Sequence, residues 1–230
     1  MYRKLDPARI TETARRLASR VEERFPDRGL SGVAREVVDA CERGGRAAEW
    51  FSRPHWPIRI GVAVCTLAFG ILLVAAIRAV RLRDEMPALV DLVQAIEAIV
   101  NDFVFVGIAL YFLWSLETHR KRRRALKALH ELRSLAHIID MHQLTKDPEV
   151  MRQPVSNTPS SPDREMSSFE LSRYLDYSSE MLSLLSKTAA LYVQHFDDPV
   201  TISAVNELEN LTSGLSRKIW QKIMILDRSL

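Results

Sequence analysis

Apolar residues recur along this chain at three- and four-residue steps and nowhere with the alternation of a half-buried strand, so every element it predicts is a helix. Residues 7–25 place Ile10, Ala14, Leu17, Val21 and Phe25 on one face, and Phe25-Pro26-Asp27-Arg28-Gly29 stops them. A second amphipathic helix is predicted from Ser31, as N-cap, to about Arg43, with Val33, Val37, Val38 and Cys41 inward and Gly44-Gly45 at its end. Two stretches then lose their polar face altogether. A helix crossing about 30 Å of hydrocarbon needs roughly 20 apolar residues, and residues 58–80 and 95–117 reach that length when their ends snorkel. No Gly or Pro follows the second stretch until Pro148, and Leu126, Leu129, Leu132, Ala136 and Ile139 continue a helical stripe, so this helix is expected to run on as 119–144. Residues 145–167 gather Pro148, Pro154, Pro159 and Pro162 among Ser, Asn and Asp, the composition of a linker. Ser167 to Glu170 then has the form of a capping box and opens a long helix through Leu171, Tyr174, Leu175, Leu182, Leu185, Ala189 and Phe196. Asp198 as N-cap and Pro199 at the first helical position start the last one, with Val205, Leu208, Leu215, Ile219 and Ile223 inward.

The expected fold is an all-α membrane protein, two transmembrane helices in a hairpin plus a cytoplasmic helical bundle. Its parts are an N-terminal cytoplasmic helical hairpin (1–56) and a transmembrane hairpin (57–118) with spans 58–80 and 95–117 and a short outer loop, 81–94. The cytoplasmic extension of the second span (119–144), the linker (145–167) and a C-terminal helical hairpin (168–230) follow. Basic residues near the spans orient the hairpin. Arg43, Arg46, Arg53 and Arg59 precede the first span, and Arg120, Lys121, Arg122, Arg123, Arg124, Lys127 and Arg133 follow the second, against Arg78, Arg81 and Arg83 on the connecting side. Both termini are therefore expected inside, with Trp50, Phe51, Trp56, Tyr111 and Trp114 as anchors at the inner interface.

Charge narrows the partners. Residues 119–150 hold eight Lys or Arg against four Asp or Glu, whereas 151–230 hold eight against ten, so the excess sits beside the second span. That placement suits the anionic head groups of a bilayer, at about 1 kcal/mol per basic residue near the surface, and no nucleic acid is expected. Arg120, Lys121, Arg122, Arg123 and Arg124 are thus read as a lipid-facing basic flank. Cys41 and Cys65 stand before and inside the first span and imply no disulfide. Some fifty Arg-rich amphipathic residues precede that span, which marks it as an internal anchor rather than a cleaved signal. Arginine outnumbers lysine 25 to 7, which with the abundant alanine points to a GC-rich bacterial genome and so to the inner membrane.

The outer half of the second span carries the candidate chemistry. Gln94, Glu97 and Asn101 share a face there, with Asp102 beside them. Measured from Thr118, Asp102 lies about 24 Å and Glu97 about 31 Å along the helix axis, so these groups need water or a partner. Continuing inward through Val104, Ile108, Tyr111 and Ser115, copies of this helix would line a pore with an acidic mouth and an apolar middle. The plainer reading pairs Arg78, at the outer end of the first span, with Glu97 or Asp102. A membrane hairpin with a long cytoplasmic helix is similar in outline to calcium uniporter pores. The Trp-Asp and Glu-Pro residues that define those pores are missing, and Trp114 is followed by Ser115, so no site residue is carried across. His137, Asp140 and His142 are spaced poorly for one metal, and no phosphate loop, nucleophile elbow or paired-cysteine framework occurs. Neither an enzyme nor a cofactor is expected. The function expected is an oligomeric pore or membrane-perturbing effector, with a membrane-anchored scaffold or sensor that docks a cytosolic protein as the alternative.

Overall fold

A computed structural model describes residues 4–26, 28–53, 56–81, 89–148 and 166–227. All regular structure among them is helical: α1 (Pro7–Arg24), α2 (Gly29–Ser52), α3 (Trp56–Arg81), α4 (Leu89–Leu144), α5 (Ser168–Leu191) and α6 (Pro199–Asp227). Residues 82–88 of the expected outer loop and 149–165 of the expected linker lie outside the described residues. The loop is shorter than expected, since the chain is already helical at Leu89. The chain forms two units, residues 54–121 and the combination of 1–53 with 122–230.

In the larger unit α1, α2, the last part of α4, α5 and α6 share one core and form a helical bundle. Local chemistry sets the ends of its helices. Asp6 caps α1 by accepting from the Ala8 and Arg9 amides, with Pro7 at the first position. Ser167 and Glu170 form the reciprocal capping box of α5. The last turn of α4 is closed by its neighbours, the Tyr174 hydroxyl donating to the His142 carbonyl (3.1 Å) and the Lys222 ammonium to the Gln143 carbonyl (2.8 Å). Burial of its stem pushes the Lys222 ammonium below the ordinary lysine value, against the pull of Asp147 and Asp140.

The second helix departs from expectation at both ends. It begins at Gly29 rather than Ser31, whose hydroxyl instead donates to the Phe25 carbonyl and closes the α1–α2 turn. It also runs straight through Gly44-Gly45 to Ser52. Each glycine costs about 1 kcal/mol in a helix interior, but the extra turns bury Ala47, Ala48 and Phe51, which outweighs it. Gly44 is there because α5 crosses closely: a Cβ at this position would stand 2.5 Å from Thr188 Cγ2. Thr188 is itself buried, with its hydroxyl donating to the Leu184 carbonyl (2.8 Å) and 3.2 Å from Cys41 Sγ, so its methyl cannot swing aside cheaply. Gly44→Ala is therefore expected to destabilise the bundle by about 1–3 kcal/mol, the usual range for overpacking. Gly214, in α6 with nothing within 4 Å of its would-be Cβ, is the opposite case, and Gly214→Ala should stabilise by about 0.5–1 kcal/mol. Urea unfolding of the two variants checks both signs.

Candidate functional site

In the unit of residues 54–121 many of the described apolar side chains are exposed. Ile60, Val64, Leu67, Ile71 and Val74 of α3 are all more than half exposed, at alternating four- and three-residue steps. On α4, Val100, Phe103, Val104, Phe105, Ile108, Tyr111 and Phe112 are likewise exposed, over more than half of the helix circumference. Phe69 and Phe103 meet edge to face, 5.7 Å between centroids. One helix is long and apolar enough to cross a membrane, within Val100–Leu144 of α4. The expected first span falls short of that test among the described residues. Its described apolar stretch, Ile60–Ala75, spans about 24 Å against a hydrocarbon core of about 30 Å.

The polar residues singled out in this unit do not converge. Arg78, Glu97, Asn101 and Asp102 are exposed, and among the described residues no ion pair joins Arg78 to Glu97 or to Asp102. The side chain of Gln94 lies outside the described residues.

The basic run holds a built site, although not the one expected. Lys121 pairs with Glu117 at 2.8 Å within the helix. In the bundle, Ala125, Leu129, Leu132, Ala136 and Ile139 form the buried stripe of α4, and Arg122, three residues before Ala125, flanks it. Its guanidinium grips Asp198, with Nε 3.1 Å from both carboxylate oxygens and Nη2 2.6 Å from Oδ1. Asp198 is 2% exposed and also accepts from the Thr201 amide (3.0 Å) and hydroxyl (2.8 Å), which caps α6. The Arg122 guanidinium, followed by the Thr201 donors, holds the Asp198 carboxyl below the usual carboxylate range. The Arg124 guanidinium stacks 4.5 Å over the Trp50 ring. Trp50 in turn meets Phe51 edge to face, and Phe51 stacks on Phe196 (5.6 Å, 16°) and edges Tyr192 (5.9 Å). Arg122 and Arg124 therefore fasten the end of the bundle at which the chain leaves for residues 54–121 and returns. Only Arg120 and Arg123 of the five remain solvated side chains without a partner among the described residues. Asp198 was legible as a cap but not as a buried counter-ion, because helical periodicity reports only local spacing and Arg122 stands 76 positions away.

Other candidates have ordinary surroundings. His137 is exposed, and Asp140 accepts from the Gln143 amide nitrogen at 2.8 Å. Among the described residues no group of three or more His, Cys, Asp or Glu is placed to hold a metal. Both cysteines are free thiols, and burial pushes the Cys41 thiol above its ordinary value. No protein-family model, curated protein or solved structure matches this chain.

Proposed function

We propose that this protein is a two-pass, membrane-anchored helical module of the bacterial inner membrane, both termini cytoplasmic, whose bundle docks a cytosolic protein. The observation that carries this reading is α4, 56 residues in one unbroken helix, apolar and exposed in its first half and buried in the bundle core in its second. An apolar surface of that extent is untenable in water and calls for lipid or further copies of the chain, as a homo-oligomer. Docking is supported by apolar side chains left exposed near the ends of α4 and α6: Met141 and Leu144, and Trp220 and Met224. The protein should resist carbonate extraction from membranes, and a reporter that works only outside the cytoplasm should be active when inserted at residues 82–88 and silent when fused after Leu230. Recovery in the soluble fraction would end the reading.

The second reading is an oligomeric pore, favoured by Glu97, Asn101 and Asp102 standing exposed on an apolar helix with no arginine paired to the acids among the described residues. Planar bilayers separate the two. The anchor predicts silence from purified full-length protein, whereas unitary currents that Asp102→Asn abolishes, with the bundle still folded, would replace it by the pore.

A further inference from the structure

Within the bundle, α2 and α4 part to leave a cleft of about 320 Å³. Its floor is apolar, and three of the floor positions are the alanines Ala40, Ala47 and Ala128, whose short side chains create the space. Its rim is basic: Arg43 and Arg46 from α2, Arg124 and Lys127 from α4, against Glu131 as the one acid lining it. Glu131 meets Arg43 only at 4.0 Å. Arg46 lies 3.7 Å from Glu42, which Arg15 already holds at 2.6 Å. The stacking of Arg124 on Trp50 fixes the guanidinium plane and leaves its in-plane N–H donors available. Tyr192 closes the inner end. The residue is 3% exposed and lines the cleft, and its hydroxyl makes no hydrogen bond among the described residues, so it is free to donate to a ligand.

We propose that this cleft binds a phosphate ester carrying an apolar group, the phosphate held by Arg43, Arg46, Arg124 and Lys127 and hydrogen-bonded by Tyr192, the apolar group on the alanine floor. A phosphate ester offers more charge and more acceptor oxygens than a carboxylate, which suits four cations and a hydroxyl converging on so small a space. Planar guanidinium forks grip phosphate oxygens in pairs, which argues further for that class. Burial pushes the Tyr192 hydroxyl up to about 12, so it remains a donor. The ligand class rests on the cleft alone, and only a lipid source for it draws on the membrane reading.

The test uses the full-length protein in neutral detergent micelles, titrated calorimetrically with dihexanoyl phosphatidylglycerol below its own micellisation, with glycerol phosphate and with inorganic phosphate. Saturable binding is expected, weakened at least about tenfold by the exposed double substitution Arg43→Gln/Lys127→Gln, as loss of charged hydrogen bonds implies. Tyr192→Phe should weaken it and Glu131→Gln, which removes the rim's acid, should strengthen it; a purely structural role would move neither. Tighter binding of the phospholipid than of either small phosphate supports the proposal, and equal binding of glycerol phosphate or inorganic phosphate overturns its apolar half, leaving a site for the phosphate group alone. No saturable binding of any of the three probes, or binding unchanged in Arg43→Gln/Lys127→Gln with the fold intact, overturns the proposal. Because nothing in the titration depends on residence in a bilayer, its failure and that of the anchor reading are separate results.

Discussion

Replacing Phe51 by alanine is expected to lower the unfolding free energy of the bundle by about 4 kcal/mol, the range for removing a buried aromatic ring. Phe51 is 2% exposed and touches three other rings, so little around it can collapse into the space it leaves. Those contacts come from different parts of the chain, Trp50 at the end of α2 and Tyr192 and Phe196 in the α5–α6 connection, which makes Phe51 the pin between them. Phe51→Leu, which keeps most of the volume, should recover more than half of the loss. Trp220→Ala is the contrast: the indole is 58% exposed, and its loss should change stability by less than about 0.5 kcal/mol. Urea unfolding followed by near-ultraviolet circular dichroism measures all three, and a Phe51→Ala loss below about 1 kcal/mol would mean that this end of the bundle is loosely packed in solution.

That pin also shows what the sequence could and could not disclose. The helices themselves were readable, since their apolar periodicity and local caps are written within one or two turns: the Ser167–Glu170 box, Asp198-Pro199, and the unbroken run from the second apolar stretch into α4. The reach of α2 was not, because Gly44 ends a helix on propensity alone, and only the crossing of α5 at Thr188 explains why a glycine stands inside one. The basic run shows the same limit. Five cations after an apolar stretch read as a solvated flank, and periodicity cannot say that Arg122 finds a buried carboxylate and Arg124 an indole. Likewise the expected pairing of Arg78 required a depth match between two helices, and register between helices is not encoded in either one.

Asp198→Ala should cost the bundle about 3 kcal/mol at neutral pH, since it removes a helix cap and strips a buried ion pair of its acid. The figure sits at the lower end for broken buried pairs because Arg122 is 31% exposed and water can take over part of its solvation. Asp198→Asn separates the two roles: asparagine still accepts from the Thr201 amide but carries no charge, so it should lose only the ion-pair share. The pH dependence has a definite sign. Arg122 holds the folded-state carboxyl below its ordinary value of 3.8, so the unfolded chain binds the proton first. The stabilisation is therefore fully present above the unfolded value and is lost as pH falls through the lower, folded one. Glu42, held by Arg15, and Glu170, held by the Ser167 amide and hydroxyl, are shifted the same way, so the wild type has an acid limb with several contributors. Asp198→Asn should remove one of them: its deficit against wild type is largest at pH 7 and shrinks as both are acidified below pH 3.8. A deficit that stays constant from pH 7 into the acid limb would show that Asp198 acts as a neutral cap and that Arg122 contributes nothing to it.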